Sequence, residues 1–177
     1  MSDFLDLASK RQSCRNFADK PVEHEKLLKC VEAARLTPSA CNSQPWSIVV
    51  VEKPELAAEV AKSTMHMGIN EYIGKARAFF VVVEEYAALM PAIGCMIDNQ
   101  YFARGDLGAV TYGLTLAAQS EGLGTCIVGM FDRPKLREML DISKDKSIFL
   151  LVAVGYPENA QVRNKARKPL EEIARFL

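Results

Sequence analysis

The run Ala78–Glu84 places the strongest limit on the fold, because its first six residues are all apolar and most are β-branched or aromatic. A continuous apolar run without alternation is typical of a strand buried on both faces. A similar run is present at Ser147–Gly155, and shorter strands are predicted at residues 47–52 and 125–129. Such a sheet must be covered by helices, so the sequence predicts one sandwich domain of the α/β type.

Helical patterns lie between the predicted strands. The predicted helices cover residues 2–10 with Ser2 as the N-cap, 23–36, 54–64, 105–121 and 134–140, and another begins near Pro169. Gly122 and Gly124 come after a helix and before a strand, which reverses the order of a dinucleotide-binding loop, so we interpret them as a helix C-cap. No repeat or linker divides the chain, and residues 1–177 are expected to form a single domain.

Composition argues against several classes of protein. The chain has 22 Lys and Arg against 22 Asp and Glu, and without an excess of positive charge it is not expected to bind nucleic acid or a membrane surface. Five cysteines without a Cys-x-x-Cys pair, and two distant histidines, His24 and His66, predict neither disulfides nor a metal site. The acidic N-terminal sequence is unlike a signal peptide and no membrane span is predicted, so a reducing cytoplasm is expected.

Residues 38–46, Pro-Ser-Ala-Cys-Asn-Ser-Gln-Pro-Trp, form a polar segment between a predicted helix and a strand. We call this segment the strap. Its prolines restrict φ and end the helix, while its amides and hydroxyls can donate and accept hydrogen bonds. A rigid polar segment of this kind is suited to holding a flat heteroaromatic ring. Asn42 and Gln44 could contact the ring edge or could form a structural turn, and Trp46 is interpreted as a core anchor.

Basic residues are paired near both ends of the chain, as Arg11 with Arg15 and Lys165 with Arg167. Each pair can present two cations from one extended segment, and the Ser13 hydroxyl lies between the first two. Together these groups could bind a phosphate dianion through charge-assisted hydrogen bonds. The alternative is that these residues are ordinary surface charges without a ligand. Exposed charged pairs in general contribute little to stability, so their presence alone does not indicate a site.

The sequence contains no arrangement of side chains that predicts acid–base or nucleophilic catalysis. No Gly-x-Ser-x-Gly motif is present, and no cysteine is close to a histidine in the sequence; Cys41 and Cys126 are interpreted as small packed residues. Any chemistry that side chains cannot perform would therefore belong to a cofactor. The segment 89–102 is rich in Met and aromatic residues and could be a lid over a substrate pocket or a plain part of the core.

Four motifs, in this order, resemble the FMN-dependent nitroreductase superfamily and in particular its short members. Residues 10–17, Lys-Arg-Gln-Ser-Cys-Arg-Asn-Phe, resemble the Arg-x-Ser-x-Arg opening of that family. The strap is similar to its Pro-Ser-x-x-Asn-x-Gln-Pro-Trp signature, and residues 106–129 to its central helix and following strand. The C-terminal motifs of the family resemble Gly-Tyr-Pro at residues 155–157 and Lys-Ala-Arg-Lys-Pro-Leu-Glu-Glu at residues 165–172.

The resemblance implies an α+β fold. It would be a three-layer α/β/α sandwich with a central mixed, mainly antiparallel sheet, in an intertwined homodimer with two FMN sites at the subunit interface. The helix 105–121, with Gly108 and Gly113, would lie in that interface. The residues implied for the FMN phosphate and ribityl chain are Arg11, Ser13, Arg15, Lys165 and Arg167. Those implied for the ring are Pro38, Ser39, Asn42 and Gln44 of the partner strap, together with Asn70, Ile127, Val128 and Gly129.

The same resemblance implies an FMN-dependent NAD(P)H oxidoreductase that reduces nitroaromatic, quinone or similar electron-poor acceptors. NADH or NADPH would be the co-substrate, and the two substrates would enter in turn, giving ping-pong kinetics. Arg11 or Lys165 would stabilise the reduced flavin at its N1–O2 edge. Two alternatives remain open at this stage: another flavin reaction on the same fold (dehalogenation, flavin fragmentation or dehydrogenation), or a non-catalytic protein that binds or stores FMN.

Overall fold

The chain is described by a computed structural model that covers residues 3–65, 68–159 and 161–177. Its centre is a sheet whose strands are β1 (Trp46–Val51), β2 (Ala78–Glu84), β3 (Gly124–Val128) and β4 (Ser147–Gly155). The strand order is β1-β2-β4-β3, and each neighbouring pair is antiparallel. The bounds predicted for β2 and β4 are confirmed, and those of β1 and β3 move by one residue.

The side chains of β2 alternate between two separate hydrophobic cores. Phe79, Val81 and Val83 belong to one core, whereas Phe80 and Val82 belong to the other. All five are at most 1% exposed, so the predicted burial on both faces is confirmed. Because successive strand residues point to opposite faces, one apolar run supplies the middle of both layers.

The helices form the outer layers of the sandwich. Their bounds are α1 Asp3–Lys10, α2 His24–Arg35, α3 Pro54–Thr64, α4 Pro91–Gly94, α5 Gln100–Ser120, α6 Arg133–Met139 and α7 Leu170–Ile173, with 3-10 turns at Ala40–Asn42 and Glu71–Lys75. Buried residues of α2 and α5 pack with the Phe80 core, and those of α3 and α6 with the Phe79 core. The three-layer α+β sandwich is confirmed; the proposed cap Ser2 lies outside the described residues.

Helix α5 begins five residues before the predicted start at residue 105. The side chain of Gln100 accepts a hydrogen bond from the Ala87 amide at 2.7 Å and donates to Glu84 Oε1 at 2.8 Å and to the Glu85 carbonyl oxygen at 3.1 Å. This tertiary anchoring fixes the first turn of α5 and cannot be inferred from local sequence patterns.

Residues 89–102 are not part of the core, since none of them is buried in this chain and Met96 is 81% exposed. The lid interpretation stays a prediction.

Two other expectations are corrected by packing within the chain. A Cβ on Gly113 would lie 3.3 Å from Thr37 Oγ1 and 3.7 Å from the Ala34 Cα, so this glycine allows α5 to approach α2 and needs no partner subunit. A Cβ on Gly108 would meet nothing within 4 Å, which leaves that position free for an interface. Cys41 is exposed in the single chain, contrary to expectation, because the turn of the strap that carries it lies at the surface, whereas Cys126 is buried.

Beyond β3, the N-terminal segment extends the sheet. Ser13 forms a parallel bridge with Thr125, and the Cys14 amide donates to the Thr125 carbonyl at 2.7 Å, which makes the sheet mixed. Gly124 permits this approach, because a Cβ there would lie 2.8 Å from both Cβ and Sγ of Cys14.

Gly122, with φ 75°, ends α5 as the expected C-cap, and the Leu123 amide donates to the Ala118 carbonyl at 2.8 Å. Among the described residues, no helix combines the length and apolarity needed to cross a membrane.

We expect Gly124→Ala to lower the free energy of unfolding by about 1–3 kcal/mol, because the added methyl overpacks the contact with Cys14. The measurement is urea unfolding of the variant and the wild type. The control is Lys144→Ala, an exposed side chain outside the proposed interface, which should change the free energy of unfolding by no more than about 0.5 kcal/mol. Equal stability of the two variants would show that the segment at residue 14 is not held against β3.

Candidate functional site

The C-terminal tail is hydrogen-bonded to the N-terminal segment, which brings the two predicted groups of cations together. The Arg163 side chain donates to the Ser13 carbonyl at 2.6 Å, and Gln12 Nε2 donates to the Gln161 carbonyl at 2.8 Å. Lys165 Nζ donates to the carbonyl oxygens of Ala8 at 3.0 Å and Arg11 at 2.7 Å. These carbonyls lie at the C-terminus of α1, where a cation is favourable.

Arg11, Lys165 and Arg167 form a cluster of positive charge. Partial desolvation, and then the neighbouring charges of Arg11 and Arg167, lower the pKa of Lys165. Among the described residues none of the three forms a salt bridge, and the buried Arg11 Nε has no hydrogen-bond partner. An uncompensated cluster with an unsatisfied donor is unfavourable by itself and is the arrangement expected of a phosphate-binding site.

Arg15 lies apart from this cluster. Its guanidinium carbon is 5.8 Å from the centre of the Tyr72 ring, whereas that of Arg11 is 6.0 Å from the Tyr112 ring on α5. Burial raises the pKa of Cys126, and the positive charge of Arg15 opposes this increase, so Arg15 lies close to β3. The five groups predicted for the phosphate and ribityl chain therefore come from two segments: Arg11, Ser13 and Arg15 from the N-terminal segment, with Ser13 and Arg15 near β3, and Lys165 and Arg167 from the tail.

Asn70 is held in a left-handed conformation, with φ 61°, at the start of the second 3-10 turn. Its amide nitrogen donates to the carbonyl oxygens of Thr64 at 3.1 Å and Met130 at 3.3 Å, and its Oδ1 accepts from the Tyr72 hydroxyl at 3.0 Å. These bonds fix its orientation near the end of β3. Tyr72 was not among the predicted site residues, since an isolated tyrosine carries no sequence signal of its contacts with Asn70 and Arg15.

The strap has an unusual backbone. Cys41, Asn42 and Gln44 have φ values of 52°, 53° and 46°, in the left-handed region that residues with a Cβ rarely adopt. Each such residue costs on the order of 1–3 kcal/mol, and strained residues of this kind cluster at functional sites. Internal hydrogen bonds support the turn: Ser39 Oγ accepts from the Gln44 amide at 2.9 Å, and Gln44 Nε2 donates to Asn42 Oδ1 at 3.3 Å. Asn42 and Gln44 thus lie in a structural turn, but the Asn42 side chain bonds the Gln44 side chain rather than the backbone, and ring contact remains a prediction.

The other predicted ring contacts include both exposed and buried side chains. Pro38, Asn42 and Gln44 of the strap are exposed, and Ile127 presents an apolar side chain that is 43% exposed on β3. Val128 is only 3% exposed and belongs to the core, so only its backbone is available to a ligand. Trp46 is half-buried against the Phe80 core, in accordance with its interpretation as an anchor.

A cleft of about 460 Å³ opens beside the N-terminal segment and the tail. Its lining includes Ser13, the cations Arg15 and Arg163, and Lys10, which pairs with Asp6 at 2.6 Å; no acidic residue lines it. A cleft with this charge favours an anionic ligand. Among the described residues there is no group of three or more His, Cys, Asp or Glu side chains that could hold a metal ion.

The family model of the nitroreductase family matches residues 8–156 of this chain. A protein of Archaeoglobus fulgidus, provisionally named an NADH dehydrogenase/NAD(P)H nitroreductase, is 28% identical over 163 residues, which cover 90% of this chain and 88% of that protein. An iodotyrosine deiodinase of Nematostella vectensis is 27% identical over 195 residues, covering 97% of this chain and 74% of the relative.

Solved structures show the same fold. A nitroreductase family protein of Streptococcus pneumoniae TIGR4 superposes with a TM-score of 0.85 at 27% identity, covering 99% of this chain and 100% of that one. An FMN-dependent nitroreductase of Clostridium difficile R20291 gives a TM-score of 0.77 at 25% identity and covers 99% of both chains.

The unpaired cations lead to a prediction that needs no flavin. We expect millimolar inorganic phosphate to raise the melting temperature of the flavin-free protein by about 2 °C or more relative to chloride at equal ionic strength, because the anion relieves repulsion among Arg11, Lys165 and Arg167. Arg167→Ala should remove most of this shift. The matched control is Lys168→Ala, an exposed cation next in sequence, which should keep it. A shift of the same size in all three proteins would mean that phosphate acts through general charge screening.

Proposed function

The chain belongs to the nitroreductase family, and on that premise we propose that it is an FMN-dependent oxidoreductase that uses NADH or NADPH to reduce a nitroaromatic, a quinone or a similar electron-poor acceptor. The observation that carries this proposal is the unpaired cluster of Arg11, Lys165 and Arg167, with its unsatisfied Arg11 Nε. These groups have the charge and the donors that a flavin phosphate requires.

The residues of this chain have separate tasks in the proposed site. Arg11, Lys165 and Arg167 bind the phosphate group. Ser13 follows Arg11 on the N-terminal segment and lies beside β3. Arg15 is the cation near β3 and, in place of Arg11 or Lys165, would supply positive charge beside the ring. The exposed face of Ile127 offers the ring an apolar support, and the strap of a second subunit would supply polar contacts at the ring edge.

Bound FMN would supply the redox chemistry, taking a hydride from the reduced nicotinamide and passing electrons to the acceptor. The protein positions the flavin, places charge near it and leaves one face open to both substrates in turn. Among the described residues, the three cysteine thiols with a resolved shift are buried and their pKa values are raised by burial, so Cys14, Cys30 and Cys126 are not suited to act as nucleophiles.

The second candidate is reductive dehalogenation on the same site. It is favoured by the match to iodotyrosine deiodinase over 97% of this chain. The two candidates differ in the acceptor, so turnover with a halogenated phenol and with a nitroaromatic, each with reduced FMN enzyme, distinguishes them. A flavin carrier without turnover would reduce neither.

We also propose a homodimer with FMN at the subunit interface, located in the cytoplasm. The tail presents Leu170, Ile173 and Phe176 to solvent, and Phe176 is 85% exposed. Side chains of this size are unfavourable in water and are expected to be covered by a second copy of the chain. The free thiols at all five cysteines suit a reducing compartment.

The proposed activity is tested by the visible spectrum of the protein loaded with FMN, under anaerobic conditions. We expect NADH or NADPH to bleach the flavin absorption, and a nitroaromatic or quinone to restore it, because the flavin passes electrons between the two substrates. A protein that does not bind FMN contradicts the cofactor proposal. A bound flavin that neither nicotinamide reduces contradicts the reductase proposal alone.

The proposed interface is tested at Gly108, whose Cβ position is open in the single chain. We expect Gly108→Ala to weaken the dimer about 10-fold or more, because a methyl group overpacks the contact with the partner helix. The measurement is sedimentation equilibrium. Gly113→Ala is the contrasting variant, since it disturbs packing against Ala34 within the chain and should leave the dimer dissociation constant unchanged. A monomeric wild type, or an unchanged Gly108→Ala dimer, would contradict this assignment.

A further inference from the structure

The strap carries three left-handed residues, yet few bonds attach it to the rest of the chain. Within the residues that the structure describes, positions 38–43 form one hydrogen bond to another element, from the Ala40 amide to Asp106 Oδ2 at 3.2 Å. The other hydrogen bonds of these positions stay inside the strap, such as those from the Asn42 amide to the Ser39 carbonyl and from the Ser43 amide to the Ala40 carbonyl, both at 3.0 Å.

Asp106 is in a position to hold this turn in place. It lies on α5, next to Leu107 and one turn after Ala103; both of these neighbours are fully buried, and Leu107 belongs to the Phe80 core. The carboxylate is therefore carried by a helix that cannot move without disturbing the core. A hydrogen bond from a backbone amide to a charged carboxylate is also stronger than one between neutral groups.

The hydrogen bond from Ala40 to Asp106 lies directly beside the left-handed residues of the strap. Ala40 begins the 3-10 turn and directly precedes Cys41 and Asn42, the first two left-handed residues. A left-handed conformation persists only when its surroundings determine it, because right-handed alternatives are lower in energy. Without the bond to Asp106, the turn keeps its internal hydrogen bonds but loses its attachment to α5.

We propose that Asp106 is a positioning residue for the flavin site, which holds the strap through the Ala40 amide so that Asn42 and its neighbours face the flavin ring. This inference rests on the proposed function and adds to it a residue on a different element from those expected to contact the cofactor. Asp106 itself touches neither flavin nor substrate in this proposal. Its effect is on the geometry of the strap.

The test compares Asp106→Ala, Asp106→Asn and the control Arg104→Ala with the full-length wild type. Asparagine keeps an oxygen acceptor without the charge and should restore much of what alanine loses. Arg104 is exposed on the same helix and, among the described residues, forms no hydrogen bond or ion pair, so its removal should change nothing. Each protein is assayed for hydrogen exchange at the Ala40 amide without flavin, for the FMN dissociation constant and for the spectrum of the bound flavin.

We expect Asp106→Ala to exchange the Ala40 amide about 10-fold or more faster and to bind FMN about 10-fold more weakly, with an altered flavin spectrum, because a charge-assisted hydrogen bond is lost. Asp106→Asn should lie between alanine and wild type in all three measurements. Arg104→Ala should match the wild type. The melting temperature of each variant is recorded, so that general unfolding is recognised.

Unchanged exchange at Ala40 in Asp106→Ala would overturn the inference, since the bond would then not hold the strap. Faster exchange with unchanged FMN affinity and spectrum would overturn its link to the flavin. A loss of affinity that follows a large fall in melting temperature and is not restored by asparagine would identify a general structural role instead. If the wild type itself does not bind FMN, the proposed function fails, and exchange at Ala40 still decides whether Asp106 holds the strap.

Discussion

The two-sided burial of β2 is the constraint on which the other elements depend. Phe79 and Phe80 point into different cores, so the strand requires a helical layer on each face and a neighbouring strand on each edge. Antiparallel β1 and β4 supply the edges, and α2 with α5 and α3 with α6 supply the layers. The candidate site lies at the margins of this core, on the strap before β1 and along the outer edge of β3.

The candidate site combines features that are unfavourable for the isolated chain. Three cations lie close together without a salt bridge among the described residues, and three of the four residues at positions 41–44 of the strap are left-handed. The packed core can compensate for the charge repulsion and the backbone strain. Local strain of this kind is tolerated where the neighbouring elements determine the geometry. Both the cations and the strap are held by hydrogen bonds to helices: Lys165 to the end of α1, and Ala40 to α5, whose buried side chains pack into the core.

The sequence predicted the parts of the structure that depend on local pattern. The bounds of β2 and β4, the C-cap at Gly122 and the gathering of Arg11 with Lys165 and Arg167 were all anticipated from residue types and family motifs. The early start of α5 was missed, because it depends on contacts of Gln100 with residues 13 to 16 positions earlier in the chain. The bond from Ala40 to Asp106 spans 66 residues and leaves no trace in either local segment. The separate position of Arg15 also required coordinates, since alternation alone grouped it with Arg11.

The bonds from Lys165 have a consequence for the biosynthesis of the protein. They join residues 157 and 154 positions apart in the sequence, so the two halves of the cation cluster meet only after the residues between them have been translated. The sheet and its helices can pack earlier, because their strands lie between residues 46 and 155. A nascent chain on the ribosome thus lacks the candidate anion site until residue 167 leaves the exit tunnel, so on the proposed function the sheet forms before the phosphate-binding groups meet.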